Sequence, residues 1–296
     1  RILFMDKTYL AKERKGKMKR RYGLIGHPLG HSISSQIHTE FYRRYQMDAE
    51  YIHYDRTPEK LAELMAEFRK TRIAGFNITI PYKTDVIPFL AALEGDAGHF
   101  GAVNTVLNRG GDFIGYNTDG VGFIKLLQKH EVMVRGKSFL ILGAGGAAKA
   151  LACKLALEKA CKVIILNRTL DRAESLARAV SSLSSTEAIC GGLEDFDIYA
   201  GSCHCIINTT SVGMSPHISA APVEGVTRIC PETAVVDIIY NPSHTKFLQL
   251  AASKGCKTVN GLGMLIYQAM CAFEIWTGIA PDDDFEEELE KKLKIY

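Results

Sequence analysis

The apolar positions of this chain fall into two successive alternations of strand-like and helix-like spacing. In the first, Tyr22–Gly26 is a short apolar run that predicts a strand, and His27-Pro-Leu-Gly-His31 reads as the turn that ends it. Ser32 or Ser34 can cap the helix expected to follow, through about Tyr45. Glu50–Tyr54 alternates as a strand. Thr57-Pro58 opens a helix whose Leu61, Leu64, Met65 and Phe68 recur at helical spacing. Ile73–Ile80 predicts another strand and Thr84–Leu93 another helix. Ala102–Leu107 and Phe113–Tyr116, separated by Asn108-Arg-Gly-Gly-Asp112, predict a hairpin. Strands alternating with helices imply a largely parallel sheet.

Beyond Asp119 the alternation starts again. Val121–Gln128 predicts a helix and Ser138–Leu142 a strand, which runs into Gly143-Ala-Gly-Gly-Ala-Ala148 and the helix Lys149–Lys159. Val163–Leu166, Cys205–Asn208, Ala234–Ile239 and Lys257–Val259 are further strands. Met264–Trp276 is apolar around most of its circumference and helical in period. The charged segment Asp283–Leu293 predicts a last helix. No internal repeat or low-complexity linker interrupts this order. The fold class is therefore α/β, with two domains and with the C-terminal helices returning to the first.

Composition narrows the function classes. The chain has 296 residues, which suits two domains or one large one. Apolar residues make up 47% and charged residues 23%, ordinary for a soluble globular protein. A net charge of +3 is too small to argue for nucleic acid. Much of the excess lies in Lys12, Arg14, Lys15, Lys17, Lys19, Arg20 and Arg21, which read as a solvated leader or a patch for an acidic partner. Met18 stands just before the first strand and is a candidate start. The leader has no long apolar core and so is not a secretory signal. No run reaches transmembrane length. None of the 8 cysteines forms C-x-x-C. Cys203-His204-Cys205 resembles a metal motif, but strand alternation sends His204 to the face opposite the two thiols, so no metal is expected. A reducing cytoplasm fits this usage.

Two stretches carry candidate chemistry. In Asn77-Ile-Thr-Ile-Pro-Tyr-Lys83, an apolar strand ends at Pro81 and a lysine follows at once. Lys83 is either a solvated turn residue or an amine held for proton transfer. The second stretch is a phosphate loop. Gly143, Gly145 and Ala148 fit G-x-G-x-x-G/A between a strand and a helix. Gly143 permits the tight turn, Gly145 lets backbone approach a pyrophosphate, and the helix start offers unpaired N–H groups. At the end of the next strand, where an NAD site places an acid, this chain has Asn167-Arg168-Thr169, with Arg172 one turn on. A guanidinium fork matches a 2′-phosphate, which favours NADP over NAD. Otherwise Arg168 and Arg172 cap a strand end and pair with Asp171 or Glu174. Ser32, Ser34, Asn104, Asn117 and Asp119 also fall at strand ends or turns, where parallel sheets bind ligands, although each could serve only as a cap or turn residue.

With these residues in view, the chain resembles the shikimate dehydrogenase family. The resembling motifs are Gly26-His-Pro-Leu-Gly-His-Ser-Ile-Ser34, Asn77-Ile-Thr-Ile-Pro-Tyr-Lys83, Gly101-Ala-Val-Asn-Thr105 and Gly115-Tyr-Asn-Thr-Asp119. They continue with Gly143, Ala144, Gly145, Gly146 and Ala147, then Asn167-Arg-Thr169 and Ile207-Asn-Thr-Thr-Ser-Val-Gly-Met214. Asp237-Ile-Ile-Tyr-Asn-Pro242 and Asn260-Gly-Leu-Gly-Met-Leu-Ile-Tyr-Gln268 complete the set. The likeness runs in the family's order from about Tyr22 to the C-terminus. It implies reversible, NADP-dependent reduction of 3-dehydroshikimate to shikimate, in aromatic amino acid and chorismate biosynthesis. It implies Lys83 and Asp119 as the catalytic pair. Ser32 and Ser34, helped by Tyr240, are implied to bind the substrate carboxylate. Thr79, Asn104 and Gln268 are implied to bind ring hydroxyls, and Met214, Gly261 and Met264 to surround the nicotinamide. Ser35 stands where the family often has Pro, and Thr39 where it often has Asn; both lie beyond the two serines.

The resemblance agrees with the chemistry of carbonyl reduction. Hydride delivered to carbon leaves charge on oxygen, so an acid must supply a proton there. Lys83 can do so, and its neutral amine can take the proton back. Asp119 would favour the charged amine, while desolvation pushes the other way. The expected substrate domain spans about 20–119 and is completed by the helices in 260–296; the NADP domain spans about 120–259. The cleft between them is the expected active site. The partners are small molecules, with no nucleic acid and no membrane, in a monomer or homodimer. Rival readings are a quinate dehydrogenase, dual in specificity or using NAD, and a non-catalytic dinucleotide sensor, which would have no need of a Lys–Asp pair.

Overall fold

The structure is a computed structural model that describes residues 19–30, 32–282 and 284–293. The leader up to Lys17, the candidate start Met18, His31 and Asp283 lie outside the described residues. Of the leader's basic residues, Lys19 and Arg21 both pair with Glu50, at 3.3 and 3.0 Å. The chain divides into two compact units. The first runs to Thr118 and takes back Ala269–Leu289; the second covers Asp119–Gln268 and takes back the chain from Glu290.

In the first unit, β1 (Arg20–Gly26), β2 (Ala49–Asp55), β3 (Gly75–Ile78), β4 (Ala92–Leu93), β5 (Thr105–Arg109) and β6 (Asp112–Tyr116) form one six-stranded sheet. Its order is β2-β1-β3-β5-β6-β4. β1 is parallel to β2 and β3, whereas β5 is antiparallel to both β3 and β6. The hairpin forms as its turn residues predict: Gly110 and Gly111 have φ of 67° and 109°, and the Gly111 N–H donates to Asn108 Oδ1 at 2.8 Å. Leu61, Leu64, Met65 and Phe68 make the buried stripe of the helix Leu61–Thr71, preceded by a short 3-10 turn at Pro58–Lys60. They pack with Ile73, Phe76, Tyr82, Val86 and Phe113 into one core.

The predicted helix Thr84–Leu93 does not form. The segment is a run of turns, a 3-10 turn at Ile87–Phe89 and the two-residue strand β4. Pro88 would remove a donor from a continuing helix. The Ala91 and Glu94 N–H groups instead donate to Phe113 O and Gly115 O, at 2.8 and 2.9 Å, and extend the sheet. The helix after the first turn also differs in its cap. It spans Ser34–Arg44 with Ile33 at the N-cap position and no side-chain cap. Ser32, one residue before the N-cap position, accepts the Ser34 N–H through its Oγ at 3.3 Å.

In the second unit, β7 (Ser138–Leu142), β8 (Lys162–Leu166), β9 (Glu187–Gly191), β10 (Cys205–Asn208), β11 (Ala234–Asp237) and β12 (Lys257–Val259) are all parallel. Their order is β12-β11-β10-β7-β8-β9. Relative to β7, that is the order of a doubly wound dinucleotide-binding sheet, which reverses direction between β7 and β10. β9 was not predicted: it is a five-residue edge strand, Glu-Ala-Ile-Cys-Gly, with only Gly191 buried. β7 and β10 are buried at every position and β8 at all but Lys162, and all three are largely apolar, as parallel strands covered on both faces must be.

The helix Leu262–Thr277 contributes its residues through Gln268 to the second unit and the rest to the first. In the first unit, Trp276 stacks on Tyr22 with centroids 4.9 Å apart, and its indole N–H donates to Val106 O at 2.9 Å. The last helix, Phe285–Leu293, begins after the predicted start; Phe285 packs on Phe41 at 5.3 Å.

Candidate active site

The first unit gathers polar side chains at one end of its sheet. β3 stops at Ile78, two residues earlier than predicted. The Thr79 N–H still donates to Ile25 O at 2.9 Å, and Ile80 O accepts the His27 N–H at 3.0 Å. With the chain turned there, Ile80 is 72% exposed and is not part of the buried strand. Gly26 has room for no side chain because Thr79 and Leu29 fill the space, so the first turn packs directly on Thr79. Asp55, at the end of β2, holds that turn: its carboxylate accepts from the Leu29 N–H at 2.9 Å and lies 2.7 Å from His27 Nδ1. The His27 contact, then the Leu29 bond, hold the Asp55 pKa below the usual carboxylate value. The turn leads to Ser32 and Ser34, half-buried and 3.2 Å apart between hydroxyl oxygens.

Lys83 follows in the turn after Pro81, half-buried, and its carbonyl accepts the Val103 N–H at 2.7 Å. That bond ties the lysine backbone to the segment entering β5. Tyr82 is fully enclosed beside it, and its hydroxyl donates to Arg56 O. The lysine is thus mounted on a fixed turn rather than on a free loop.

Asn104 is 3% exposed, and its amide oxygen accepts from the Thr118 N–H at 2.8 Å and the Thr105 hydroxyl at 3.0 Å. Its amide group faces Thr118 Oγ1 at 2.9 Å. Asn117 donates to Ala102 O at 3.0 Å. These bonds fix the Asn117-Thr118 segment from which Asp119 emerges. Asp119 is buried and opens the helix Asp119–Lys129 as its first residue. Sequence reasoning missed Asn77, Thr105 and Tyr51. Asn77 takes the Tyr51 hydroxyl at 2.8 Å and donates to Thr105 Oγ1 at 3.0 Å and to Asn104 O at 3.2 Å. The available signal was an amide inside an otherwise apolar strand, which a buried position must satisfy.

The second unit builds a phosphate loop. Gly143 has φ 110°, and a Cβ there would lie 2.7 Å from Thr209 Oγ1. β7 and β10 therefore meet at the switch point with no space for a side chain. Gly145 is the N-cap of the helix Gly146–Leu157, and a Cβ on it would meet nothing within 4 Å, so the backbone is open to an incoming group. Ala144 and Ala147 are half-buried, Gly145 and Gly146 exposed, and Ala148 fully buried beneath the helix. This cradle suits a pyrophosphate: open backbone, helix N-terminus and no acidic side chain in the loop.

At the end of β8, Asn167 donates to Thr169 O at 2.8 Å. Arg168, Thr169 and Arg172 are exposed. The pairing considered for the arginines is not made: Glu174 pairs with Arg178 at 3.5 Å, and neither Arg168 nor Arg172 has a salt bridge among the described residues. Two guanidinium groups beside the helix start are thus available to a dianion. Met214 is 46% exposed after β10, and Tyr240 half-buried after β11. Gly261 donates its N–H to Ile239 O at 3.0 Å, and Ile238 leaves no room for a side chain there. Met264 is buried, and the Gln268 amide donates to Leu265 O at 2.9 Å, back into its own helix. Cys203 and Cys205 are buried and His204 exposed. Burial pushes the Cys203 thiol up to about 11 and raises that of Cys205 as well. Among the described residues no cluster of His, Cys, Asp and Glu is placed to hold a metal ion.

Comparison with known proteins places this arrangement. Residues 24–106 match the family model described as shikimate dehydrogenase substrate binding domain. Residues 125–244 match shikimate / quinate 5-dehydrogenase, and 261–285 the shikimate 5′-dehydrogenase C-terminal domain. The chain is 41% identical over 266 residues to the shikimate dehydrogenase (NADP(+)) of Methanococcus maripaludis, covering 88% of this chain and 92% of that protein. The chain belongs to the shikimate dehydrogenase family. A crystal structure of a shikimate dehydrogenase in complex with NADP+ superposes with a TM-score of 0.87 at 37% identity, covering 94% of this chain and 96% of that one. The Thermus thermophilus shikimate 5-dehydrogenase, in complex with NADP(H) and shikimate, gives 0.82 at 34% identity, covering 92% and 99%. The substrate-binding family model falls on the mixed sheet of the first unit, and the shikimate / quinate model within the second unit.

Proposed function

We propose that this chain catalyses the reversible, NADP-dependent reduction of 3-dehydroshikimate to shikimate. The observation that carries the reading is its 41% identity to an NADP-dependent shikimate dehydrogenase over nearly that whole protein. The first unit serves as the substrate-binding, catalytic domain, and the second as the NADP-binding domain. Gly143–Ala147 hold the pyrophosphate at the helix N-terminus, while Asn167, Arg168, Thr169 and Arg172 hold the 2′-phosphate. Met214, Gly261 and Met264 border the nicotinamide. When bound, NADPH supplies the hydride.

The protein's own groups handle position and protons. Ser32 and Ser34 donate to the substrate carboxylate without adding a cation, with Tyr240 assisting. Thr79, Asn104 and Gln268 orient the ring hydroxyls. The committed bonds of Asn104 limit it to what its amide group can still donate. Lys83 Nζ gives a proton to the carbonyl oxygen as charge develops there, and takes it back from the alcohol in the reverse direction. Asp119 orients that amine and favours its charged form. We read the partners as small molecules, not nucleic acid, for a monomer or homodimer in a reducing cytoplasm. Support for that compartment comes from eight cysteines, none of which forms a disulfide among the described residues. No helix of the described residues is long and apolar enough to cross a membrane.

The test mixes purified protein with shikimate and NADP and follows absorbance of the reduced nicotinamide. Turnover is expected with this pair, and much less with quinate or with NAD. Turnover confined to quinate and NAD overturns the substrate and cofactor assignments. Tight NADP binding with no turnover of either alcohol turns the reading to a dinucleotide sensor.

A further inference from the structure

A buried carboxylate in the second unit lies outside the roles assigned above. Asp237 ends β11 and is 0% exposed. Its Oδ1 accepts from Asn208 Nδ2 at 3.1 Å and from the Ile239 N–H at 3.0 Å, and its Oδ2 accepts the Thr245 hydroxyl at 2.7 Å. The three donors belong to two loops, one after β10 and one after β11. Asn208 ends β10, and its Oδ1 accepts the Thr210 N–H at 3.0 Å and the Thr210 hydroxyl at 2.7 Å, which shapes the segment running to Met214. Ile239 begins the loop that carries Tyr240, and its carbonyl accepts the Gly261 N–H at 3.0 Å. Thr245 closes that loop by capping the helix Lys246–Ala252, accepting the Leu248 N–H at 3.3 Å. The two loops are also joined directly, by the Ser215 N–H on Asn241 O at 3.3 Å.

We propose that Asp237 is a positioning residue that holds the loops bearing Met214, Tyr240 and Gly261 in the shape that receives the nicotinamide half of the cofactor. The inference rests on the functional reading above, which places the nicotinamide against those loops. A buried carboxylate with all its near donors satisfied specifies one arrangement, whereas loss of the acceptor strands those donors. The adenine end is separate: it is built on β7, β8 and the helices Gly146–Leu157 and Leu170–Leu183, whereas the Asp237 carboxylate accepts from Asn208, Ile239 and Thr245, none of which lies on those elements. The two halves of the cofactor should therefore respond differently to one substitution.

The experiment titrates NADP and its fragment 2′,5′-ADP into wild-type protein and Asp237→Asn by calorimetry. The expected result is NADP affinity weakened about tenfold or more with 2′,5′-ADP affinity within about twofold of wild type. Thr245→Val should show the same split more weakly, and Thr245→Ser, which keeps the hydroxyl, should restore NADP affinity. Where Asp237→Asn fails to fold, the Thr245 pair carries the comparison alone. Equal losses for NADP and 2′,5′-ADP, or no loss for either, overturn the proposal. Neither titration uses shikimate. Wild-type protein that binds NADP but does not oxidise shikimate would thus sink the functional reading while the split in affinities still decides the role of Asp237.

Discussion

At the scale of single residues, the proposed chemistry makes two separable demands. Proton transfer at Lys83 matters in the transition state more than in the ground state. Lys83→Ala should therefore lower kcat on the order of 10²-fold or more, with a smaller change in shikimate affinity. Steady-state rates together with a shikimate binding titration check this; near-normal kcat removes the lysine from the mechanism. Arg168 makes the other demand. It is exposed and holds no salt bridge among the described residues, so its removal disrupts no internal contact of that kind. Arg168→Ala should raise KM for NADP about tenfold and leave KM for NAD within about twofold, because only NADP carries the phosphate dianion. Equal effects on the two cofactors would make the arginine a surface residue. The sequence alone left open that Arg168 and Arg172 pair with Asp171 or Glu174. The Glu174–Arg178 pair supplies the missing fact, since side-chain partners on a helix surface depend on rotamers that spacing does not determine.

At the scale of elements, the second unit was legible because its signals are local and mutually consistent. Buried parallel strands read as apolar runs, and the turn between Leu142 and Gly146 has a glycine wherever backbone geometry requires one. Gly143 shows the strictness of that requirement. Its φ of 110° and the 2.7 Å from a Cβ to Thr209 Oγ1 are two independent penalties. Gly143→Ala should destabilise the fold by about 1–3 kcal/mol and abolish measurable 2′,5′-ADP binding. Urea unfolding and calorimetry read the two effects, and unchanged values for both would mean the loop adapts freely. Elements that failed to be legible depend on distant partners. Thr84–Leu93 has helical periodicity, but its end is drawn into the sheet, where the Ala91 and Glu94 N–H groups donate to Phe113 O and Gly115 O. β9 gave too little apolar signal because it is an edge strand. The polar network from Tyr51 through Asn77 and Thr105 to Thr118 likewise needs four segments brought together, which no single stretch of sequence reveals.

At the scale of the whole molecule, two buried titratable groups oppose each other in the dependence of stability on pH. His38 is fully enclosed and stacked on Tyr51, with centroids 4.4 Å apart. Burial lowers its pKa to about 3, with Asn77 pulling back part of the shift. In the unfolded chain a histidine titrates near 6.5. Between those values the unfolded state binds a proton that the folded state does not. Stability from this group is thus complete above about pH 6.5 and declines as pH falls, with a slope approaching about 1.4 kcal/mol per pH unit. Asp237 has the opposite sign. Burial pushes its carboxyl up to about 6, above its unfolded value, so between about pH 4 and 6 the folded state holds the extra proton. There stability from Asp237 falls as pH rises, and the two slopes largely cancel. Replacement of His38 exposes the imbalance. In His38→Phe, which keeps a ring in the stack, unfolding free energy between pH 7 and 4.5 should decline less steeply than in wild type, by up to about 1.4 kcal/mol per pH unit. Urea midpoints for the two proteins at several pH values give that difference directly, whatever the constant offset from repacking. Parallel pH profiles would mean that His38 takes up its proton in the folded state as readily as in the unfolded one.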